Sequence, residues 1–134
     1  RPMVERGSGL ILVVSSVAAA QPSPSYATYA ACKVFVDYMM TALDYELKGT
    51  GVSCTVSAPG PSPTEFGQVA DQGVSLMHRL ASLPPAEVVR QSLDALFAQR
   101  PSVAPGWVNA SMSALSSQLP RRLTMWSAER IIRD

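Results

Sequence analysis

Residues 16–33 read SVAAAQPSPSYATYAACK. A serine, Ser16, follows an apolar run; Tyr29 comes thirteen residues later and Lys33 four after that. Positions four apart on a helix share one face, a turn apart, so Tyr29 and Lys33 can point into one pocket. Ser16 is brought there by the end of the preceding strand. A free phenol, with a pKa of about 10, is a poor base near neutrality. A nearby ammonium and a helix N-terminus both favour the phenolate. Tyr29 then suits a general acid or base, and Ser16 suits the donor that holds a substrate oxygen within its reach.

Outward from this stretch, the punctuation predicts strand, helix, strand. Leu10 to Val14, LILVV, is the continuous β-branched run of a buried parallel strand. Its end at Ser15 and Ser16 falls where open α/β sheets collect ligands. Residues 21–25, QPSPS, form a proline-rich loop. A helix is expected from about 25 to 48, stopped by Gly49 and Gly51, with the small Ala27, Ala30 and Ala31 allowing close approach to the sheet. Tyr38, Met39, Met40, Leu43 and Leu47 read first as core packing and second as a helix-to-helix dimer face. Val52 to Ser57 is the next strand, and strand–helix–strand implies a right-handed parallel crossover. The turn 58–63 holds three prolines and Gly60, where the backbone can come close to a flat ring.

Residues 64–81 have weak periodicity, and the lone His78 has no neighbouring partner that would make a metal site. Pro84-Pro85 opens a helix to about Gln99, with Val88, Val89, Leu93, Leu96 and Phe97 as its apolar face. Residues 100–106 suit a short edge strand, and 107–119 a helix. Asn109-Ala110-Ser111 matches a glycosylation sequon by chance. The tail alternates arginines with Leu123, Trp126, Ile131 and Ile132; packing on protein is favoured over an anionic membrane. A net charge of +1 gives no reason to expect nucleic acid, and 47% apolar residues can supply a core. Cys32 and Cys54 read as small buried thiols rather than a disulfide framework. No apolar stretch is long enough to span a bilayer.

Ser16, Tyr29 and Lys33, in the spacing Ser-x12-Tyr-x3-Lys, resemble the short-chain dehydrogenase/reductase family. Pro59-Gly60-Pro61-Ser62-Pro63-Thr64 is similar to that family's Pro-Gly-x-x-x-Thr segment. The resemblance implies an α/β fold, a partial Rossmann-type doubly wound parallel sheet made of the C-terminal strands and helices only. It implies one truncated domain over 1–134: a catalytic part at 10–64, a substrate lid at 65–83, and helices with an edge strand at 84–134. It implies an oxidoreductase moving hydride between NAD or NADP, the latter slightly favoured, and an alcohol or ketone, lipid- or steroid-like in the branch suggested by the Pro-Gly-Trp and Leu-Pro-Arg-Arg stretches.

In that reading Tyr29 is the acid/base, Lys33 also bonds the nicotinamide ribose, and Ser16 orients the substrate oxygen. Pro59, Gly60, Ser62 and Thr64 line the cofactor, while Glu65, Phe66, Met77 and Leu80 face the substrate. Ser62 departs from the apolar residue usual there, and Cys32 from the serine usual before the lysine. No metal is implied. The family's glycine-rich nucleotide turn does not occur in the sequence, and the chain, starting at Arg1, looks cut from something longer. Homo-oligomers through the 25–48 helix and a cytoplasmic location are expected, with the endoplasmic reticulum membrane if an anchor precedes. The rival reading is a non-catalytic truncated paralogue that serves as an interaction module. The bare, apolar edge of LILVV predicts a chain that associates.

Overall fold

The computed structural model describes residues 1–63 and 76–133, the latter without the side chains of 76–78, 127, 128 and 130–133. In order they form α1 (Pro2–Arg6), β1 (Gly9–Val14), a 3-10 turn (Val17–Ala20), α2 (Ala27–Glu46), β2 (Val52–Ser57), α3 (Leu76–Ala81), α4 (Pro85–Phe97), β3 (Ser102–Val103), α5 (Trp107–Gln118) and α6 (Arg121–Arg133). The strands make one parallel sheet in the order β1-β2-β3, with Gly9 opposite Val52 and Val14 opposite Ser57. This is an α/β fold with a fragment of a Rossmann-like sheet.

Alternation along β2 explains the layers. Side chains two apart share a face. Cys54 and Val56 pack with Ile11 and Val13 of β1 and with Val36, Met40, Leu43 and Leu47 of α2. Thr55 and Ser57, on the other face, are also fully buried, because their hydroxyls have partners: Thr55 bonds the Arg100 carbonyl at 2.8 Å and Ser57 meets Ser92 of α4 at 2.7 Å. A buried hydroxyl is tolerated when it is bonded. Thus α2 covers one face of β2 and α4 the other. Gly51, at φ 78°, delivers the chain into β2 against the Gly7 carbonyl, where any side chain would collide with backbone.

Several expectations change. The LILVV strand is not buried as its β-branched run predicts; it is the bare apolar edge also expected of it, an edge of the sheet among the described residues, with Leu10 and Val14 exposed. Of Ala27, Ala30 and Ala31 only Ala30 is buried. The apolar surface of α2 divides: Met40, Leu43 and Leu47 join the core, while Phe35, Tyr38, Met39 and Tyr45 face outward. On α4 the buried stripe includes Ser92, Ala95 and Leu96, whereas Val89 and Phe97 are exposed. The reason is the Ser57–Ser92 pair, which draws a polar residue to the sheet side. Cys32 is exposed and only Cys54 is buried, its thiol pushed up by burial and then by the Asp44 carboxylate. The 3-10 turn has no counterpart in the sequence reading.

Candidate active site

β1 ends at Val14, and two hydrogen bonds carry the parallel pairing beyond it: Ser15 N–H to the Ser57 carbonyl at 2.7 Å and Val17 N–H to the Pro59 carbonyl at 3.1 Å. Ser16 therefore lies between two residues tied to β2 and its following turn. It is extended, buried, and N-caps the 3-10 turn, its Oγ accepting from Ala18 N–H at 3.1 Å. A hydroxyl that accepts from a cap keeps its own proton to donate. The 3-10 turn thus fixes the hydroxyl without consuming its donor.

Helix α2 is seated on the same strand end. Ser15 Oγ donates to the Lys33 carbonyl at 3.1 Å, and Lys33 Nζ donates to the Val14 carbonyl at 3.1 Å. Ser25, at φ 66°, turns the proline loop into the helix. Lys33 Nζ stands over the half-buried Tyr29 ring, 5.6 Å from its centroid. A cation at that distance from the ring face is attracted to it. An ammonium has three donors, so the bond to Val14 leaves two for another acceptor. Tyr29 and Lys33 are thus brought together, and Lys33 reaches the strand two residues before Ser16.

Pro59 and Gly60 lie in the turn after β2, tied to Val17 as above. Ser62 does not offer its hydroxyl to the turn: Oγ donates to the Leu83 carbonyl at 2.8 Å, beside the bond from Leu83 N–H to Pro61 at 3.1 Å. Thr64, Glu65 and Phe66 lie outside the described residues, as do the side chains of Met77 and His78; Leu80 is exposed. A separate open cleft of about 430 Å³ is lined by Arg90, Gln91, Arg100, Ser102 and Trp107, among others, and shares no residue with this site.

One residue that the sequence reading dismissed lies at the back of the turn. Asn109, in the first turn of α5, is 3% exposed, and its Nδ2 donates to the Ala81 and Pro105 carbonyls. The sequon is therefore sealed in the folded chain. The bond to Ala81, 28 residues away, has no local sequence signal.

A serine at a strand end, with a tyrosine and lysine stacked on the next helix, is the arrangement on which the sequence resemblance rested. The short chain dehydrogenase profile matches residues 1–74, more than half of the chain. This chain belongs to the short-chain dehydrogenase family. It is 36% identical over 91 residues, 68% of its length, to a short chain dehydrogenase of Pseudocercospora fijiensis, 28% of which is covered. An inactive hydroxysteroid dehydrogenase-like protein 1 of Mus musculus aligns with 98% of the chain at 26% identity, over 39% of its own length. A very-long-chain 3-oxoacyl-CoA reductase of Anas platyrhynchos is 44% identical over 68 residues, 51% of this chain and 22% of that protein.

Among solved structures, a 7beta-hydroxysteroid dehydrogenase superposes on 96% of the chain, with a TM-score of 0.79 at 22% identity and 51% of its own length covered. A Burkholderia cenocepacia short chain dehydrogenase in complex with NADP gives 0.74 at 23%, over 95% of this chain and 50% of that one. A Brucella melitensis 3-oxoacyl-[acyl-carrier protein] reductase with bound NAD gives 0.58 at 29%, over 77% and 41%. At 22% and 23% identity the first two show the fold alone. The chain spans about half of the first two solved structures, 41% of the third, and less than two fifths of the three curated relatives.

Proposed function

We propose that residues 1–134 carry the proton-transfer site of an NAD(P)-dependent alcohol dehydrogenase or ketone reductase. The carrying observation is Lys33, whose ammonium joins the Tyr29 ring to the carbonyl of Val14, two residues before Ser16. The donor set of a hydroxyl, a phenol and two remaining ammonium hydrogens fits the ribose and nicotinamide end of such a cofactor, with Pro59 and Gly60 beside it. Ser62 contributes there through backbone only, since its hydroxyl is bonded to Leu83. Similar solved proteins hold NADP or NAD.

The nicotinamide, when bound, supplies or accepts the hydride. Ser16 donates to the substrate oxygen and sets its position. Tyr29 gives that oxygen a proton in reduction and takes it in oxidation. Lys33 places a positive charge beside the phenol and offers hydrogens to a ribose hydroxyl. The Tyr29→Phe variant should lose about 10²–10⁴-fold in turnover. The assay is NADPH- or NADH-linked reduction of a ketone panel by the polypeptide that contains this segment. Retained turnover in that variant overturns the proposal.

A second reading has its own support. A relative aligning with nearly the whole chain is named inactive, and Phe35, Tyr38, Met39 and Tyr45 form an exposed stripe along α2. In that reading the chain pairs through α2 with a second copy and does no chemistry. Binding of reduced cofactor with measurable turnover removes it; dimerisation lost in Tyr38→Lys, with no turnover in the parent, favours it.

A further inference from the structure

We infer that Asn109 is the positioning residue that sets where the Pro59–Gly60 turn stands, and through it the nicotinamide end of the cofactor site; the cofactor half of this inference rests on the function proposed above. The carboxamide is held at both hydrogens. Nδ2 donates to Ala81 at 2.9 Å and to Pro105 at 2.8 Å. Both neighbours are carbonyls, so only the nitrogen can face them, and the orientation of the amide is fixed. Its other side is pressed against the turn: a methyl group built on Gly60 would overlap Oδ1, Cγ and Nδ2 of Asn109 together. Gly60 has an ordinary φ, so the requirement for glycine here is space, not backbone conformation.

Three chain segments therefore meet on one side chain. Ala81 ends α3, two residues before Leu83, which is bonded to Pro61 and Ser62. Pro105 leads into α5 and is fully buried. Gly60 follows Pro59, whose carbonyl holds Val17, and Val17 follows Ser16. From Asn109 to Ser16 the path is continuous: side chain to Gly60, Gly60 to Pro59, Pro59 to Val17. A displaced carboxamide moves the turn, and the turn is bonded to the strand end that carries the serine. Misplacement of a supporting group by about an ångström is enough to lower turnover by on the order of a hundredfold.

A double-mutant cycle tests the contact without any cofactor. Gly60→Ala alone should lower the melting temperature of the full chain by several degrees, from the collision with Asn109. In the Asn109→Ala background the same change should cost little, because the obstacle is gone; contacting residues are non-additive in this way. Should Asn109→Ala fail to fold, Asn109→Ser carries the same cycle. Additive melting shifts overturn the inference.

The second readout is the cofactor. Gly60→Ala should raise the KM for reduced cofactor about tenfold, leave the pH dependence of turnover unchanged, and be rescued in part by adding Asn109→Ala. A general structural defect would not be rescued by a second deletion. No cofactor binding in the parent overturns both the oxidoreductase reading and the cofactor half of this inference. A coupled melting cycle with unchanged KM in every variant overturns the cofactor half alone.

Discussion

Among the described residues, the two edges of the sheet are built differently. β3 has two residues, preceded by Pro101 and followed closely by Pro105, and its pairing with β2 is supplemented from elsewhere. Val56 and Ala58 N–H reach the Pro101 and Val103 carbonyls. Cys54 N–H, on the same side of β2 but beyond the reach of β3, is met at 2.8 Å by the carboxylate of Asp44 on α2. Thr55 adds its hydroxyl to the Arg100 carbonyl. β1 is six residues long, has no proline, and exposes Leu10 and Val14. Its Gly9 and Ser15 N–H groups point to β2, so by alternation those of Leu10, Leu12 and Val14 point away. Lys33 donates to the Val14 carbonyl on that side. A short, proline-flanked edge resists adding a strand; a long, apolar one invites it. The difference teaches that Lys33 has two duties, one at Tyr29 and one at the end of an open strand.

The largest test of this contrast is association. The chain at micromolar concentration should sediment above its monomer mass, and Leu10→Lys, which puts a charge on the open edge, should return it toward monomer. A wild-type chain that stays monomeric and melts cooperatively breaks the comparison. Next is the closed edge: Asp44→Ala leaves the Cys54 N–H without its acceptor and should cost about 1–3 kcal/mol, read from the urea midpoint. Thr55→Val should cost about 1 kcal/mol by the same measurement, since only one donor to Arg100 is lost.

The smallest effect concerns α4, which packs on β3. Hydrogen bonds from Arg90 and then Gln91 hold the Glu87 carboxyl at about 2, below its ordinary 4.5. The unfolded chain therefore takes up this proton first, so the stabilisation is present above pH 4.5 and is lost as pH falls toward 2. Glu87→Gln should remove that part of the acid slope and lower stability near neutrality by the same amount, a small one because the group is exposed, while the two proteins converge near pH 2. An identical acid slope in both proteins contradicts this.

Most of the elements were legible because glycine and proline bracket them: Gly49 and Gly51 before β2, Pro84-Pro85 at α4, Pro101 and Pro105 around β3. The Tyr29–Lys33 pairing was legible because helical spacing is local. What was not legible depends on distant partners. Ser92 is buried because Ser57, 35 residues away, shares its hydroxyl. Asn109 reads as a surface sequon until Ala81, 28 residues before it, is folded against it. Phe97 looks like core by period alone, yet the stripe of α4 turned toward the sheet is set by the serine pair. The 3-10 turn was hidden for the opposite reason: three alanines carry no signal for ending one structure and starting another.

The unequal surroundings of the two cysteines have a practical consequence. Cys32 is open to solvent, immediately before Lys33, whereas Cys54 is enclosed with its thiol pushed up. A maleimide dye at neutral pH should therefore attach at one place, without engineering. That label would ride on the helix bearing Tyr29 and report, by its own emission, on anything that settles beside it.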